Sequence, residues 1–250
     1  MKIEYYKTYS RFLNRDMEFK VYGHGGKPVL AVPCQSGRFY EFEDMKMVDV
    51  YAPYIESGAI QVFTIDSLDS ETLACEGDCR ARIERHENWI KYIMEEAVPY
   101  FSHINAKSNG GESGRFAVTG LSLGALHAAT LYFRFPDTFD ALMGLSGIYS
   151  NEYYFGGYHD DLTYNNSPIQ FLENMSPDHP YAEKYRGGRI ILCVGQGAWE
   201  TETLADTRKM GEILNAKGIP AWVDIWGADV KHDWDWWYVQ AAYFLPKLIG

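Results

Sequence analysis

The pentapeptide Gly120-Leu121-Ser122-Leu123-Gly124 lies between two stretches that favour different backbones. Before it, Arg115-Phe116-Ala117-Val118-Thr119 is a short apolar run that reads as a buried strand. After it, Leu123 to Phe133 is rich in Ala and Leu and reads as a helix. A chain that passes from strand to helix through Gly-x-Ser-x-Gly must turn sharply. The two glycines let backbone segments approach closely, and the serine is held up at the carboxyl end of the strand. Leu123 then offers a backbone N–H at a helix start, where the helix dipole favours developing negative charge.

The rest of the chain supplies the sheet such a turn requires. Met17-Glu18-Phe19-Lys20-Val21-Tyr22 alternates apolar and polar residues, the period of a half-exposed strand, within an antiparallel N-terminal stretch. Pro28 to Pro33 and Ala59 to Ile65 are apolar runs expected of strands buried on both faces. A long amphipathic helix is expected from about Arg80 to about Ile104. Phe139 to Leu145 returns as a strand, and the Tyr-, Asn- and Pro-rich block from Gly147 to Arg186 reads as an irregular insertion. Arg189–Val194 reads as a strand, Thr203–Lys217 as a helix, Ala221–Trp226 as a strand and Asp235–Leu248 as a helix. Buried strands alternating with helices imply one α/β domain over residues 1–250, with a mostly parallel central sheet covered by helices on both faces. The antiparallel start and the insertion before the last two strands suit an α/β-hydrolase.

Composition narrows the partners. The formal net charge is -11, which repels phosphate backbones and anionic membrane surfaces, so neither nucleic acid nor membrane is an expected partner. No apolar run reaches membrane-spanning length. Met1-Lys2-Ile3-Glu4-Tyr5-Tyr6-Lys7 carries charges where a signal peptide needs apolar residues, and a cytoplasmic location is expected. Cys193 reads as a buried thiol, and Cys75 and Cys79 as free thiols. Gly23-His24-Gly25-Gly26 is not a dinucleotide fingerprint, and His159-Asp160-Asp161 lacks matching metal ligands. No cofactor and no metal are expected. A homo-oligomer is compatible with the sequence.

In open α/β sheets, ligands bind beyond the carboxyl ends of the strands. Among seven histidines, only His232 follows the last strand and precedes the last helix, where this fold delivers its general base. The acid that orients the imidazole should follow the strand ending at Val194. Glu200 is the first choice there, with Glu202, Asp206 and Asp229 left open. The second oxyanion donor should come from Pro33-Cys34-Gln35-Ser36-Gly37, with the Gln35 N–H first and Ser36 second. The chain order Ser122, Glu200, His232 is that of α/β-hydrolases.

With these pieces in place the chain resembles the putative esterase family, the esterase D-like α/β-hydrolases, in an uncharacterised bacterial branch. The resemblance covers most of the chain. It rests on Gly120 to Gly124 followed by Tyr132-Phe133-Arg134-Phe135-Pro136-Asp137-Thr138-Phe139, on Leu145-Ser146-Gly147 and on His232-Asp233-Trp234. Gly195-Gln196-Gly197-Ala198-Trp199-Glu200 and Trp226-Gly227-Ala228-Asp229-Val230 resemble that bacterial branch. It implies serine-dependent ester hydrolysis. The chain departs from the family in carrying Pro-Cys-Gln-Ser where relatives have His-Gly, and Glu200 where many have an Asp nearer the strand.

Aromatic residues make up 16% of the chain and cluster beside the expected site. Tyr149, Tyr153, Tyr154, Phe155 and Tyr158 follow one strand end, and Trp199, Trp234, Trp236 and Trp237 flank the acid and base. Tyr153, Tyr154, Trp199, Trp234 and Ser36 are the candidate substrate contacts, for a small-molecule or carbohydrate-linked ester. Packing the core is the alternative use of the same rings. An acyltransferase on the same triad, or a binding module that keeps the fold without the chemistry, are the rival functions.

Overall fold

The structure is a computed structural model that describes residues 1–250. The chain divides into two compact units, Met1–Phe116 and Ala117–Gly250.

In the first unit the strands run in the order β1-β2-β4-β3. β1 (Ile3–Ser10) and β2 (Arg15–Tyr22) form an antiparallel hairpin, with Ile3 opposite Tyr22 and Ser10 opposite Arg15. β1 alternates exposed and half-covered residues, as an edge strand does, whereas β2 buries Met17, Phe19 and Val21. β2 continues antiparallel to β4 (Ile60–Ile65), and β4 lies parallel to β3 (Lys27–Val32). Every residue of β4 is buried, Gln61 and Thr64 included, which explains its mostly apolar sequence. Gly26 enters β3 with φ 86, and a Cβ there would sit 2.3 Å from the Gly58 carbonyl oxygen, so only glycine fits. Phe101 is the centre of the aromatic core, its ring 4.8 Å from both Phe19 and Phe63.

The single helix expected from Arg80 to Ile104 is two, α3 (Cys79–Tyr92) and α4 (Val98–Ser108), joined by a π turn at Ile93–Ala97. Pro99 has no N–H to return to the preceding turn, which breaks the regular ladder there. Asp78 fixes the start of α3 by accepting from the Ala81 N–H at 2.8 Å. Two shorter helices, α1 (Glu41–Asp44) and α2 (Met47–Glu56), were not legible in the sequence.

In the second unit the order is β5-β6-β7-β8. These are Phe116–Leu121, Phe139–Leu145, Arg189–Val194 and Trp222–Ile225. β6 is parallel to β7 and β7 to β8. α5 (Leu123–Arg134) follows β5 and is buried from Leu123 to Phe133, as a helix apolar on all sides must be. α10 (Thr201–Ala216) lies between β7 and β8, and α11 (Trp234–Ile249) follows β8. Parallel strands alternating with helices give the α/β-hydrolase class expected from the sequence.

The Gly147–Arg186 block is not irregular. It forms four short helices: α6 (Glu152–Phe155), α7 (Asp161–Asn165), α8 (Pro168–Asn174) and α9 (Pro180–Arg186). Each is too short to show a helical period, but the start signals are present. Asp160 and Thr163 form a reciprocal capping box, and Pro168 and Pro180 occupy first-turn positions where no N–H is needed.

Candidate active site

The second unit brings Ser122, Glu200 and His232 together. Ser122 occupies the turn between β5 and α5 with φ 55 and ψ -126. A serine at positive φ costs on the order of 1–3 kcal/mol, so its surroundings must hold it there. Its N–H donates to the Leu145 carbonyl at the end of β6 (3.0 Å), and its carbonyl accepts from the Ala125 N–H (3.0 Å). The close approach needs Gly120, where a Cβ would lie 2.0 Å from the Gly124 carbonyl oxygen. Leu123, the first residue of α5, has a backbone N–H that the helix itself provides with no acceptor.

Glu200 and His232 sit on two loops that are laced together. Gly197 N–H donates to the Val230 carbonyl (2.7 Å), and His232 N–H donates to the Ala198 carbonyl (3.0 Å). Gly195 lies so near the same Val230 that a Cβ would come within 2.1 Å of its carbonyl oxygen. The acid and base are thereby placed by one backbone lattice.

The side chains form a continuous hydrogen-bonded series. His232 Nδ1 is 3.2 Å from Glu200 Oε2, and His232 Nε2 is 2.9 Å from Ser122 Oγ. An ionised carboxylate only accepts, so Nδ1 carries the proton and Nε2 presents its lone pair to the serine hydroxyl. The Glu200 side chain is wholly buried, while that of His232 keeps 19% exposure. Burial alone would push the Glu200 carboxyl up. Hydrogen bonds from His232, Ser146 and Thr203 outweigh it and hold the carboxyl below the ordinary carboxylate range. Glu200 also occupies the N-cap position of α10, the helix end that favours an anion, without a side-chain bond to the helix N–H groups.

The rival acids are elsewhere. Asp206 accepts from the Tyr149 and Ser150 N–H groups at 2.6 and 3.0 Å, with burial pushing its carboxyl up. Glu202 and Asp229 are exposed. Three further participants were missed in the sequence. Ser146 Oγ donates to Glu200 Oε1 (2.5 Å), Thr203 Oγ1 donates to Glu200 Oε2 (2.5 Å), and Trp237 Nε1 donates to Ser146 Oγ (2.9 Å). A hydroxyl directly after the carboxyl end of β6 was the available sign for Ser146.

The aromatic candidates separate. Tyr149 and Phe155 are buried and belong to the core, the Tyr149 ring packing where a Cβ on Gly144 would meet its hydroxyl at 2.4 Å. Tyr153 is 70% exposed and meets Tyr154 edge to face at 5.1 Å. Trp199, next to the acid, is 85% exposed. Trp234 packs edge to face on Trp237 at 5.2 Å.

In the first unit, carboxylates set the loop after β3. Glu41 accepts from the Cys34 N–H (2.8 Å), Asp69 from the Ser36 N–H (2.9 Å) and Asp66 from the Phe39 N–H (2.9 Å). The Ser36 amide, the second of the two named as oxyanion donor, is therefore committed to Asp69. Burial, reinforced by Glu41, pushes the Cys34 thiol up, which argues against a reactive thiolate.

Residues 10–247 match the sequence profile of the family described as "Putative esterase". The chain belongs to this family. No curated protein sequence matches it. Solved structures are similar in fold. A ferulic acid esterase is 17% identical, with a TM-score of 0.77 over 99% of this chain and 97% of that one. The fluorophosphonate-binding serine hydrolase F of Staphylococcus aureus is 12% identical, with a TM-score of 0.71 over 100% and 98%. An S-formylglutathione hydrolase from Agrobacterium tumefaciens is 12% identical, with a TM-score of 0.74 over 99% and 95%.

The laced loops make a testable demand. Gly195→Ala should force a Cβ against the Val230 carbonyl and destabilise the protein by roughly 1–3 kcal/mol. A urea titration should show a lower midpoint, and ester turnover per folded molecule should also fall as His232 moves off Glu200.

Proposed function

We propose that this esterase hydrolyses a carboxylic ester through an acyl-enzyme on Ser122, with His232 as general base and Glu200 as orienting acid. One observation carries the reading: the unbroken series from Ser122 Oγ through both nitrogens of His232 to a buried carboxylate, at 2.9 and 3.2 Å. Ser122 Oγ attacks the ester carbonyl as its proton passes to His232 Nε2. The carbonyl oxygen gains negative charge, which the Leu123 N–H is suited to receive. The intermediate collapses as the C–O bond breaks, and His232 returns the proton to the departing alcohol. Water then attacks the acyl-enzyme as His232 takes its proton; the Ser122 Oγ–acyl bond breaks, His232 returns the proton to Ser122 Oγ, and the carboxylic acid leaves. Glu200 stays ionised throughout and stabilises the imidazolium. The partial exposure of His232 gives water access to the base.

The exposed rings of Tyr153 and Trp199 and the half-buried ring of Tyr154 are the proposed contacts for an acyl or carbohydrate-linked group, with Trp234 beside the base. All four cysteines are unpaired, which suits a reducing, cytoplasmic setting. No helix is long and apolar enough to cross a membrane.

The first test is covalent. A fluorophosphonate should label the wild-type chain at Ser122, and Ser122→Ala should lose both labelling and ester turnover. Comparable turnover in Ser122→Ala would remove the nucleophile from this role. Glu200→Gln should lower kcat by roughly two to four orders of magnitude, because the base loses its orienting charge. Unchanged kinetics there, with a large loss in Glu202→Gln or Asp229→Asn, would move the acid.

Specificity is tested with an ester series. Tyr153→Ala or Tyr154→Ala should lower kcat/KM unevenly, with an acetyl ester affected least and a long or phenolic acyl ester most. A short acyl group gains little from distant rings, whereas a long one depends on them for positioning. An equal loss across the series would indicate general destabilisation, and no loss would place both tyrosines outside the cleft.

A further inference from the structure

We propose that Trp237 and Ser146 are positioning residues for the reaction, the indole fixing the direction of the Ser146 hydroxyl so that its only proton goes to Glu200. This rests on the triad reading above and adds to it a mechanism by which the buried acid is held. The argument begins with what each group is able to do. An indole N–H donates and cannot accept. Because Trp237 Nε1 donates to Ser146 Oγ at 2.9 Å, the serine oxygen is the acceptor in that contact. A hydroxyl has one proton, and the neighbour placed to receive it is Glu200 Oε1 at 2.5 Å. The order of donation is therefore determined over the whole series: Trp237 to Ser146, Ser146 to Glu200, His232 to Glu200, Ser122 to His232.

The backbone adds to the same constraint. Ser146 directly follows β6 at φ 49, with its N–H donating to the Cys193 carbonyl of β7 at 2.7 Å. Its hydroxyl is thus delivered by the sheet rather than by a mobile loop, and the residue is completely buried. Trp237 touches the base as well. Its ring meets the His232 ring edge to face at 4.9 Å and 81°. One residue of α11 therefore abuts the imidazole and, through Ser146, sets the carboxylate. The titratable neighbours of Glu200 are His232, Cys193 and Tyr149. Burial pushes both Cys193 and Tyr149 up, so they stay neutral beside the carboxylate.

The physical consequence is a division of the carboxylate's charge. Ser146 and Thr203 take part of it, leaving His232 a partner it can protonate and deprotonate within each turnover. Without the Ser146 proton, the same buried charge would fall more fully on His232 and hold the imidazolium more tightly. The base would then stay protonated to higher pH.

The test uses the full chain, with p-nitrophenyl acetate turnover and the rate of fluorophosphonate labelling measured across the neutral pH range. Ser146→Ala should lower kcat about tenfold, with KM changed by less than about twofold, and should move the acid limb of the labelling profile upward by about half a pH unit or more. Trp237→Phe keeps an aromatic ring beside His232 while removing the indole N–H and part of the ring system. It should shift the limb in the same direction and by less. The double variant should be no worse than Ser146→Ala alone, because the indole acts through the serine proton. If the double variant falls by the product of the two single effects, Trp237 does not act through Ser146 and the proposal is overturned. An unmoved acid limb in both single variants overturns it too, since a purely structural role changes the amount of active enzyme and not its profile. Should Ser146→Ala fail to fold, Trp237→Phe decides by its own profile. A wild-type chain that is labelled and active while both variants match it defeats this inference alone. A wild-type chain that fluorophosphonate does not label defeats the hydrolase reading and the inference with it.

Discussion

A carboxylate with its side chain fully removed from water organises the candidate active site. A buried charge without partners costs several kcal/mol, so Glu200 must be met by donors from every direction the chain can supply. It receives them from Ser146 at the end of β6, from Thr203 in the first turn of α10 and from His232 in the loop before α11. The demand is structural before it is catalytic. Satisfying the charge ties together three successive strand-to-helix segments, and it holds His232 where its other nitrogen meets Ser122. It also explains why the acid is a glutamate at the cap of α10. The longer side chain spans from the helix start to the base, while the helix end lowers the cost of its charge.

The serine depends on a different constraint. Its positive φ is unfavourable on its own, and it persists because Gly120 allows the Gly124 carbonyl to close in and because the Leu145 carbonyl takes the Ser122 N–H. Leu145 immediately precedes Ser146. The end of β6 therefore holds the Ser122 backbone with one residue and the Glu200 carboxylate with the next. A shift of this strand end would disturb both, so the alignment of serine and acid has a shared origin in two adjacent residues.

The parts of this arrangement that were legible in the sequence are those governed by local rules. Gly120 to Gly124 announced a turn because the flanking strand and helix patterns are strong. His232 followed from element order, and Glu200 from its place after an apolar strand. What escaped notice depends on contacts distant in the chain. Ser146 is 54 residues from Glu200 and 91 from Trp237, and no pattern at either end points to the other. The block after Gly147 looked irregular because helices of four to seven residues are too short for a 3.6-residue period to emerge. Tyr149 was grouped with the cleft aromatics on residue type alone, whereas the absence of a side chain at Gly144 and Gly147 opens a buried slot for its ring. Local patterns carry no record of such a slot.

The lengths within the series bear on how the site works. The base is tied by backbone to the acid's loop, through His232 N–H to Ala198 and Gly197 N–H to Val230, but not to the serine's turn. Acid and base thus form one rigid pair, and the serine is held separately by the sheet. In the proposed mechanism a proton moving from Ser122 to His232 follows the hydrogen bond already in place, with no rearrangement of the charged pair that stabilises the result. Preorganisation of this kind lowers the barrier because the charges are already oriented before any proton moves. The buried position of the Ser146 hydroxyl completes the logic. Water there could supply the same hydrogen bond to Glu200, but a water molecule is free to turn, whereas a serine on a strand end with an indole at its oxygen is not.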